Sequence, residues 1–322
     1  MRLKPAALGI LLGLGVGVIV ASLTPAGAGG FLETLWRTLT GWRHMEAVIR
    51  FAAPVAVSGA GLAIAYRAGF ITIGAEGQIL LSSIAALYVY AYTGLAAGMK
   101  PLAAIALSLL VGGAWGLVPG LLRAYMGVNE VLSSLMLNYV ALSTVNYLVS
   151  GPMRSGAFTK TVFIGEEEVL GAAWIMGAML LVAAGLEALP HRTMLGAALD
   201  AYGTAPRAAR TYLITRERAI LYAALISGLA GGLAGYLMLT GFQRGFTALS
   251  HTPGYGYMGV LAAWLGMRRP IGALLASVLF AFFIVAGFLL QPLGVPASFA
   301  LLIQAMAVLG ATVAVARGGR SG

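Results

Sequence analysis

Residues 101–122 read PLAAIALSLLVGGAWGLVPGLL and contain no charged side chain. A helix of this length rises about 33 Å, which is enough to cross the ~30 Å hydrocarbon core of a bilayer. A surface helix of a soluble protein would instead keep a polar face toward water. The stretch therefore indicates a membrane-spanning helix.

The rest of the 322-residue chain has the same character. Hydrophobic residues make up 60% of it and charged residues only 9%, with a mean hydropathy of +0.92. Soluble domains carry about a quarter charged residues, so an ordinary water-soluble enzyme is excluded. The same balance excludes a disordered chain. The 45 glycines fit helices that approach one another closely in lipid.

We predict an all-α, polytopic membrane protein with about ten transmembrane helices, because further apolar runs flank the first. The run that follows Arg2 and Lys4 is interpreted as an uncleaved first helix rather than a signal peptide. The predicted spans are 6–22, 51–66, 77–94, 101–122, 131–150, 169–186, 219–239, 254–267, 271–290 and 296–316.

The basic residues predict the orientation. If the N terminus is cytoplasmic, thirteen of the 20 Lys and Arg residues lie inside and seven lie outside. The positive-inside rule then places both termini in the cytoplasm. The net charge of +10 is interpreted as orientation charge, so no nucleic-acid partner is expected.

The connecting segments are too short for a separate soluble domain, so residues 1–322 are predicted to form a single transmembrane domain. The outer loop 27–50 contains FLETLWRTL (31–39), whose apolar residues follow helical spacing. We expect an interfacial amphipathic helix there, with Trp36 at the headgroups. Residues 187–218 form the longest polar cytoplasmic stretch.

The counts of particular residue types argue against several kinds of functional site. The chain has no Cys, one Asp and three widely separated His residues, so we expect no metal site. It also lacks the GxxxxGK[ST] sequence of a phosphate-binding loop, because Lys160 follows Thr159 rather than Gly. We expect no catalytic residue. The chain is either a passive pore or one subunit of a system whose energy comes from another chain.

The segment RAGFITIGAEGQ (67–78) follows a predicted span of only sixteen residues, and glycines interrupt its apolar pattern. Broken helices near the midplane form substrate sites in transporters, because free backbone groups line the cavity there. Glu76 and Gln78 would supply polar contacts. Alternatively, Gly74 ends one turn and Glu76 begins the next helix.

The segment GVNEVLSSLMLNYVALSTVNYLVSG (127–151) begins with Asn129 as a plausible N-cap. Glu130, Ser134 and Asn138 are spaced at i, i+4 and i+8 and so share one face of a helix. This face either lines a pathway or makes interhelical hydrogen bonds.

Two further segments each allow two interpretations. In 192–214, small residues lie before Arg207 and between it and Arg210, and they would allow close approach to another surface. By composition alone, an orientation loop is the better interpretation. In 241–266, the rings of Phe242 and Tyr257, with two other aromatic residues, either stack on a planar or sugar-ring ligand or anchor an aromatic belt.

These segments and their order resemble the permease subunits of ATP-binding cassette (ABC) importers for simple sugars and purine nucleosides. ITIGAEGQ (71–78) is similar to that family's NIGAEGQ, and 128–152 resembles its VNEV…MLNY…NYLVSGP stretch. RTMLGAALDAYGTAPRAARTYLI (192–214) resembles its cytoplasmic coupling loop, and GYGYMGVLAAWLG (254–266) a later family motif. Thr72 stands where the family has Asn, and Thr204–Ala205 replaces Leu-Asn.

The resemblance implies roles for particular residues. Those implied near the translocation path are Thr72, Gly74, Glu76, Gln78, Glu130, Ser134 and Asn138. Those implied in the helix that docks on an ATPase subunit are Gly203, Pro206, Arg207, Ala208, Ala209 and Arg210.

The resemblance also implies partners and a location. They are an ABC ATPase that binds ATP and Mg²⁺, a second permease subunit that is a paralogue, an extracytoplasmic substrate-binding lipoprotein, and the bilayer of the plasma membrane. No cofactor is expected on this chain. The alternatives are a branched-chain amino acid ABC permease and an ATP-independent facilitator or channel.

Overall fold

The structure, a computed structural model of the chain, describes residues 15, 18, 19, 22, 27–155, 160–205, 214–247, 254–295, 301–303, 305, 306, 309 and 310. Within these residues the regular structure is helical, apart from an isolated antiparallel bridge between Lys160 and Thr247. The α-helices are α1 (Gly27–Thr40), α2 (Trp42–Arg67), α3 (Ala75–Tyr92), α4 (Lys100–Met126), α5 (Glu130–Ser150), α6 (Ala172–Arg192), α7 (Met194–Thr204), α8 (Arg216–Met238), α9 (Tyr255–Leu265) and α10 (Pro270–Leu290). A π-helical turn, Leu239–Gln243, continues α8, and 3-10 turns occupy Glu166–Glu168 and Gln291–Leu293.

Several helices are long and apolar enough to cross a membrane. Among the described residues these segments are Trp42–Arg67, Lys100–Met126, Glu130–Ser150, Glu166–Arg192, Arg216–Gln243 and Pro270–Leu293. The chain is therefore an all-α, multi-pass membrane protein, as the sequence predicts. The count of ten spans and the orientation of the termini stay predictions. Most of the predicted spans 6–22 and 296–316 lies outside the described residues.

The structure extends one predicted helix. The span predicted at 51–66 is the C-terminal part of α2, which has 26 residues and begins at Trp42. The prediction missed its first turns because they are polar, but an ion pair between Glu46 and Arg50 at 2.8 Å links successive turns there. The interpretation that an unusually short helix precedes the break was therefore wrong.

The chain divides into two compact units, one containing the described residues up to Ala52 and from Val278 onward, the other Ala53–Ser277. In the first unit, Phe31 packs in a cluster with Phe283, Leu290 and other apolar residues. This confirms a helix at the predicted FLETLWRTL segment. Its Phe31 is buried, whereas the side chain of Trp36 is 67% exposed.

The second unit is built around α3, which is buried along most of its length and packs against α4, α5, α8 and α9. Helices α4 and α8 meet through glycines on both sides. A Cβ at Gly112 would collide with the backbone of Gly232, and one at Gly228 would approach the carbonyl oxygen of Gly112 to 2.6 Å. Small residues allow this close approach of two apolar helices. These glycines therefore allow α4 and α8 to pack closely against each other while both also pack against α3.

Candidate functional site

Between α2 and α3 the chain leaves the helical conformation over residues 68–74, here called the break. Gly69 has a φ of 76°, a left-handed conformation that glycine adopts without steric cost. The hydroxyl of Tyr66 donates to the carbonyl oxygen of Thr72 at 2.8 Å, and the Thr72 hydroxyl accepts from the Gly74 N–H at 3.1 Å. The interruption that the sequence predicts is therefore present. Its extended residues leave backbone groups that need partners within an apolar bundle.

Helix α5 supplies those partners. The Ser134 hydroxyl accepts from the N–H of Ile73 at 3.0 Å. The Asn138 amide donates to the carbonyl oxygen of Ile73 at 2.9 Å and accepts from the N–H of Gly77 at 2.9 Å. Ser134 and Asn138 are both buried. The polar face predicted for this helix therefore makes interhelical hydrogen bonds to the break and to the first turn of α3.

Glu76, in the first turn of α3, joins that helix to α9. Its side chain is only 6% exposed, and one carboxylate oxygen accepts from the N–H of Gly256 at 2.7 Å. The two segments approach so closely that a Cβ at Gly256 would collide with the backbone of Glu76. The next residue, Tyr257, accepts a hydrogen bond from the Asn138 amide at 3.3 Å through its hydroxyl. Three helices thus meet at Glu76, Asn138 and Tyr257.

A cavity of about 210 Å³ lies at this meeting point. Its polar wall is formed by the carboxylate of Glu76, the amide of Asn138 and the phenol of Tyr257, and none of the described residues that line it is cationic. Such a wall can accept hydrogen bonds from a neutral ligand, while the apolar residues and a second aromatic ring cover nonpolar faces. The lining residues are Glu76, Leu80, Asn138, Tyr139, Leu142, Gly254 and Tyr257.

Other predicted path residues lie elsewhere in the same unit. Gln78 is 1% exposed and lies against Gly116 and Gly231 of α4 and α8, away from the cavity lining. Its side-chain oxygen has no hydrogen-bond donor within the described part of the chain. Glu130, at the start of α5, forms an ion pair with Arg123 at 3.1 Å. Thr72, Gly74 and Ser134 shape the break without lining the cavity.

Sequence reasoning overlooked three of the lining residues, although a signal for two of them was present. Leu80 lies four positions after Glu76, and Leu142 lies four positions after Asn138. Residues at i and i+4 share a helical face, so these leucines follow from the polar residues already identified. Tyr139 has no such signal, because its place in the cavity wall depends on how α5 is rotated against α3 and α9.

The other end of the break contacts α7. The Arg67 guanidinium binds the Asp200 carboxylate through two contacts of 2.9 Å each. This hydrogen-bonded partner lowers the pKa of Asp200 below its ordinary value. Gly203 lies directly against the carbonyl group of Arg67, where a Cβ would collide with it. The remaining predicted coupling residues, Pro206, Arg207, Ala208, Ala209 and Arg210, lie outside the described residues.

Comparison with known proteins agrees with a transport role. A family model described as the branched-chain amino acid transport system / permease component matches residues 44–316. A glucose ABC transporter permease protein of Haloferax volcanii is 30% identical over 92% of this chain and 82% of its own length. The guanosine ABC transporter permease protein NupP of Bacillus subtilis is 30% identical over 84% of this chain and 81% of its own. A second guanosine permease of that organism, NupQ, is 27% identical over 74% and 79%. No solved structure matches the chain.

Proposed function

Because the chain belongs to the family of branched-chain amino acid transport system permease components and is an ABC transporter permease subunit, we propose that it forms the translocation path for a nucleoside or a simple sugar. The observation that carries the choice of substrate is the wall of the 210 Å³ cavity. Glu76 offers hydrogen-bond acceptors, and the Tyr257 hydroxyl, which accepts from Asn138, keeps its own hydrogen to donate; both suit the hydroxyl groups of a sugar or ribose.

The same wall disfavours an amino acid. A zwitterionic ligand brings a carboxylate that needs a cationic or strongly donating partner when it leaves water. Among the described residues, the cavity lining contains the carboxyl group of Glu76 and no cationic side chain. The names of the relatives, which refer to glucose and guanosine, favour the same choice.

The proposed energy source is ATP hydrolysis, with ATP and Mg²⁺ bound by a separate ATPase subunit. In this proposal, residues 203–210 dock on that subunit. Contacts within the second unit give a route from the start of this segment to the cavity. Gly203 and Asp200 contact Arg67, the residue just before the break, and the far end of the break is hydrogen-bonded to Asn138. Alternating access then follows when displacement of α7 shifts the break.

The proposed complex has further members. Two different chains of Bacillus subtilis carry the name guanosine ABC transporter permease protein, which supports pairing with a paralogous permease. An extracytoplasmic lipoprotein delivers the substrate, so this chain needs no high-affinity site of its own. The complex lies in the plasma membrane with both termini of this chain in the cytoplasm, which puts 187–218 on the side of the ATPase.

Purification and reconstitution test this proposal. The tagged chain is purified from its native cells in a mild detergent, and the proteins that accompany it are identified. We expect a P-loop ATPase and a second permease. In liposomes supplied with the binding protein, uptake should require ATP, and guanosine or glucose should compete where leucine does not. Uptake by the purified chain alone, without ATP, would show that it is a facilitator.

A charge reversal tests the coupling segment. Arg207→Glu combined with Arg210→Glu should release the ATPase while leaving membrane insertion intact. The control is the double variant Arg317→Glu and Arg320→Glu, which makes the same charge change near the C terminus. Undiminished ATPase association in the first variant would contradict the assignment of 203–210.

A further inference from the structure

Four buried side-chain atoms in the described part of the chain have no hydrogen-bond partner, and three of them lie where α3 packs against α4 and α8. These three are the side-chain oxygen of Gln78, the hydroxyl of Ser82 and the indole N–H of Trp115. Buried polar groups in native proteins are nearly always paired. Leaving them unpaired is costly in an apolar bundle, because neither lipid nor aliphatic side chains offer another partner. Three such atoms in one helix contact therefore need a physical explanation.

Gln78 and Trp115 lie at adjacent positions of the contact between α3 and α4. The Trp115 Nε1 atom is 2.9 Å from the position that a Cβ of Gly77 would take. The Gln78 amide nitrogen is 3.0 Å from the position that a Cβ of Gly116 would take. An indole N–H can only donate a hydrogen bond, and an amide oxygen can only accept one. The two unpaired atoms are therefore complementary, and their residues lie one position out of register.

The glycines around these atoms leave little room for a bridging water. A Cβ at Gly231 of α8 would collide with the Gln78 side-chain oxygen, and one at Gly235 would lie 2.9 Å from the Cβ of Ser82. A space that cannot hold a methyl group cannot hold a water molecule, which also needs several polar partners. On these sides, the partner must come from another arrangement of the helices.

The same glycines allow α3 to move. Helices α4 and α8 contact Gln78 through Gly116 and Gly231, which present no side chain that would interlock with α3. Packed helices shift by about 1–2 Å in switching transitions. Successive residues of a helix are about 1.5 Å apart along its axis. A shift of ordinary size is thus enough to remove an offset of one position between Gln78 and Trp115.

We propose that Gln78 and Trp115 are positioning residues for transport, and that the Trp115 N–H donates to the Gln78 side-chain oxygen once α3 has shifted in the second arrangement of the transport cycle. This inference rests on the proposed function, which supplies a cycle with two arrangements. Helix α3 carries Glu76, which lines the cavity, and Gly77, whose N–H donates to Asn138. A shift of α3 therefore moves one polar wall of the cavity against another. The unpaired atoms destabilise the present arrangement, and their hydrogen bond stabilises the second one.

Gln78→Met tests this assignment, because it acts in opposite directions on the two arrangements. Methionine has a similar length and volume but lacks the unpaired oxygen. The unfolding temperature of the purified chain should therefore equal or exceed that of wild type. ATP-driven uptake by the reconstituted complex should fall about tenfold, because the second arrangement loses a hydrogen bond. Gln291→Met, at an exposed position of a 3-10 turn, is the control and should change neither quantity.

Trp115→Phe completes a double-mutant cycle. Alone, it should lower uptake about as much as Gln78→Met does. The double variant should be no worse than either single variant, because each change removes the same hydrogen bond. Trp174→Phe on α6, where the tryptophan side chain is 77% exposed, is the control for the loss of an indole. Losses of uptake that multiply in the double variant would show that the two side chains do not pair.

The outcomes separate this inference from the proposed function. Uptake by the wild-type complex is measured first, with and without ATP, and uptake that does not depend on ATP contradicts the proposed function itself. When wild-type uptake depends on ATP, full uptake by Gln78→Met overturns only the positioning role. A fall in the unfolding temperature of Gln78→Met also overturns it, because the oxygen would then have a partner in the present arrangement.

Discussion

Arg67, the last residue of α2, holds Asp200 of α7 through two parallel contacts of 2.9 Å across 133 residues of sequence. A guanidinium that engages both oxygens of a carboxylate fixes orientation as well as distance. Because the break begins at the next residue, the pair attaches α7 to the segment whose far end is hydrogen-bonded to Asn138. The ion pair therefore connects α7 to the candidate substrate cavity through the break.

Breaking this pair should impair coupling more than folding. We expect Asp200→Asn to insert normally and to reduce ATP-driven uptake about tenfold, because α7 can then shift without moving the break. Exchange of the two charges, Arg67→Asp with Asp200→Arg, should restore part of the uptake. Uptake and ATP hydrolysis are measured in parallel in reconstituted complexes.

The control for this prediction is Glu33→Gln, which removes the Glu33–Arg37 ion pair, exposed by 60% and 71% on its two side chains. Such exposed pairs contribute little, so uptake should be unchanged. Asp200→Asn with full uptake would refute a coupling role for the pair.

The pair also predicts a dependence of stability on pH. The pKa of Asp200 is lowered by its hydrogen bond with Arg67, so its folded-state value lies below that of the unfolded chain, about 3.9. The contribution to stability is then complete above about pH 4 and is lost as the pH falls through the folded-state pKa. Thermal unfolding in detergent should show a constant difference between wild type and Asp200→Asn from about pH 5 to 8. The difference should shrink below about pH 4, and a gap that grows on acidification would contradict this sign.

The close contact between α9 and α3 predicts a strong glycine requirement. Gly256→Ala places a Cβ within the backbone of Glu76, and backbone cannot move aside as a flexible side chain does. We expect a large fall in the unfolding temperature or loss of folded protein.

Gly177→Ala on α6 is the control, because a Cβ there has open space. That variant should be neutral or gain up to about 1 kcal/mol from helix propensity. Size-exclusion chromatography and thermal unfolding distinguish the two, and equal stability would exclude so close an approach.

The sequence predicted the fold class and the main polar contacts because both depend on local patterns. Long uncharged runs require membrane helices, and the spacing of Ser134 and Asn138 places them on one face whatever the partner. Glycines also marked the break correctly. The start of α2 at Trp42 could not be predicted from hydropathy, because polar residues continue that helix through the Glu46–Arg50 ion pair.

The arrangement of the cavity was less accessible to sequence reasoning. Gln78 and Glu76 are two residues apart and looked equivalent, but side chains two positions apart on an α-helix point in nearly opposite directions and so face different neighbours. Glu76 points to α9 and the cavity, whereas Gln78 lies between glycines of α4 and α8. The partner of Arg67, 133 residues away, likewise depends on tertiary packing that no local motif encodes.

Asn138 should be essential for the break. Asn138→Leu keeps a side chain of similar size but removes the acceptor for Gly77 N–H and the donor to Ile73 C=O. An unsatisfied buried polar group costs about 1–3 kcal/mol, so the free energy of unfolding should fall by about 2–5 kcal/mol. Asn146→Leu, the same change at an exposed position of the same helix, should alter the stability of the isolated chain by less than about 1 kcal/mol. Denaturant or thermal unfolding measures both, and equal losses would mean that Asn138 has no special structural role.

Glu76→Gln tests the cavity with the fold preserved. Glutamine has nearly the same volume, and its carbonyl oxygen can still accept from the Gly256 N–H, so the α3–α9 contact should persist. The change replaces one of the two acceptor oxygens of the carboxyl group with an amide NH2, which can only donate. A substrate whose hydroxyl groups donate to Glu76 should therefore be transported with kcat/KM lower by about tenfold, which corresponds to about 1.4 kcal/mol.

Glu167→Gln, at an exposed position of the 3-10 turn, is the control and should leave transport unchanged. Concentration-dependent uptake of guanosine and glucose by the reconstituted complex measures the effect. Wild-type kcat/KM in Glu76→Gln, with stability also unchanged, would place the substrate out of contact with this carboxylate.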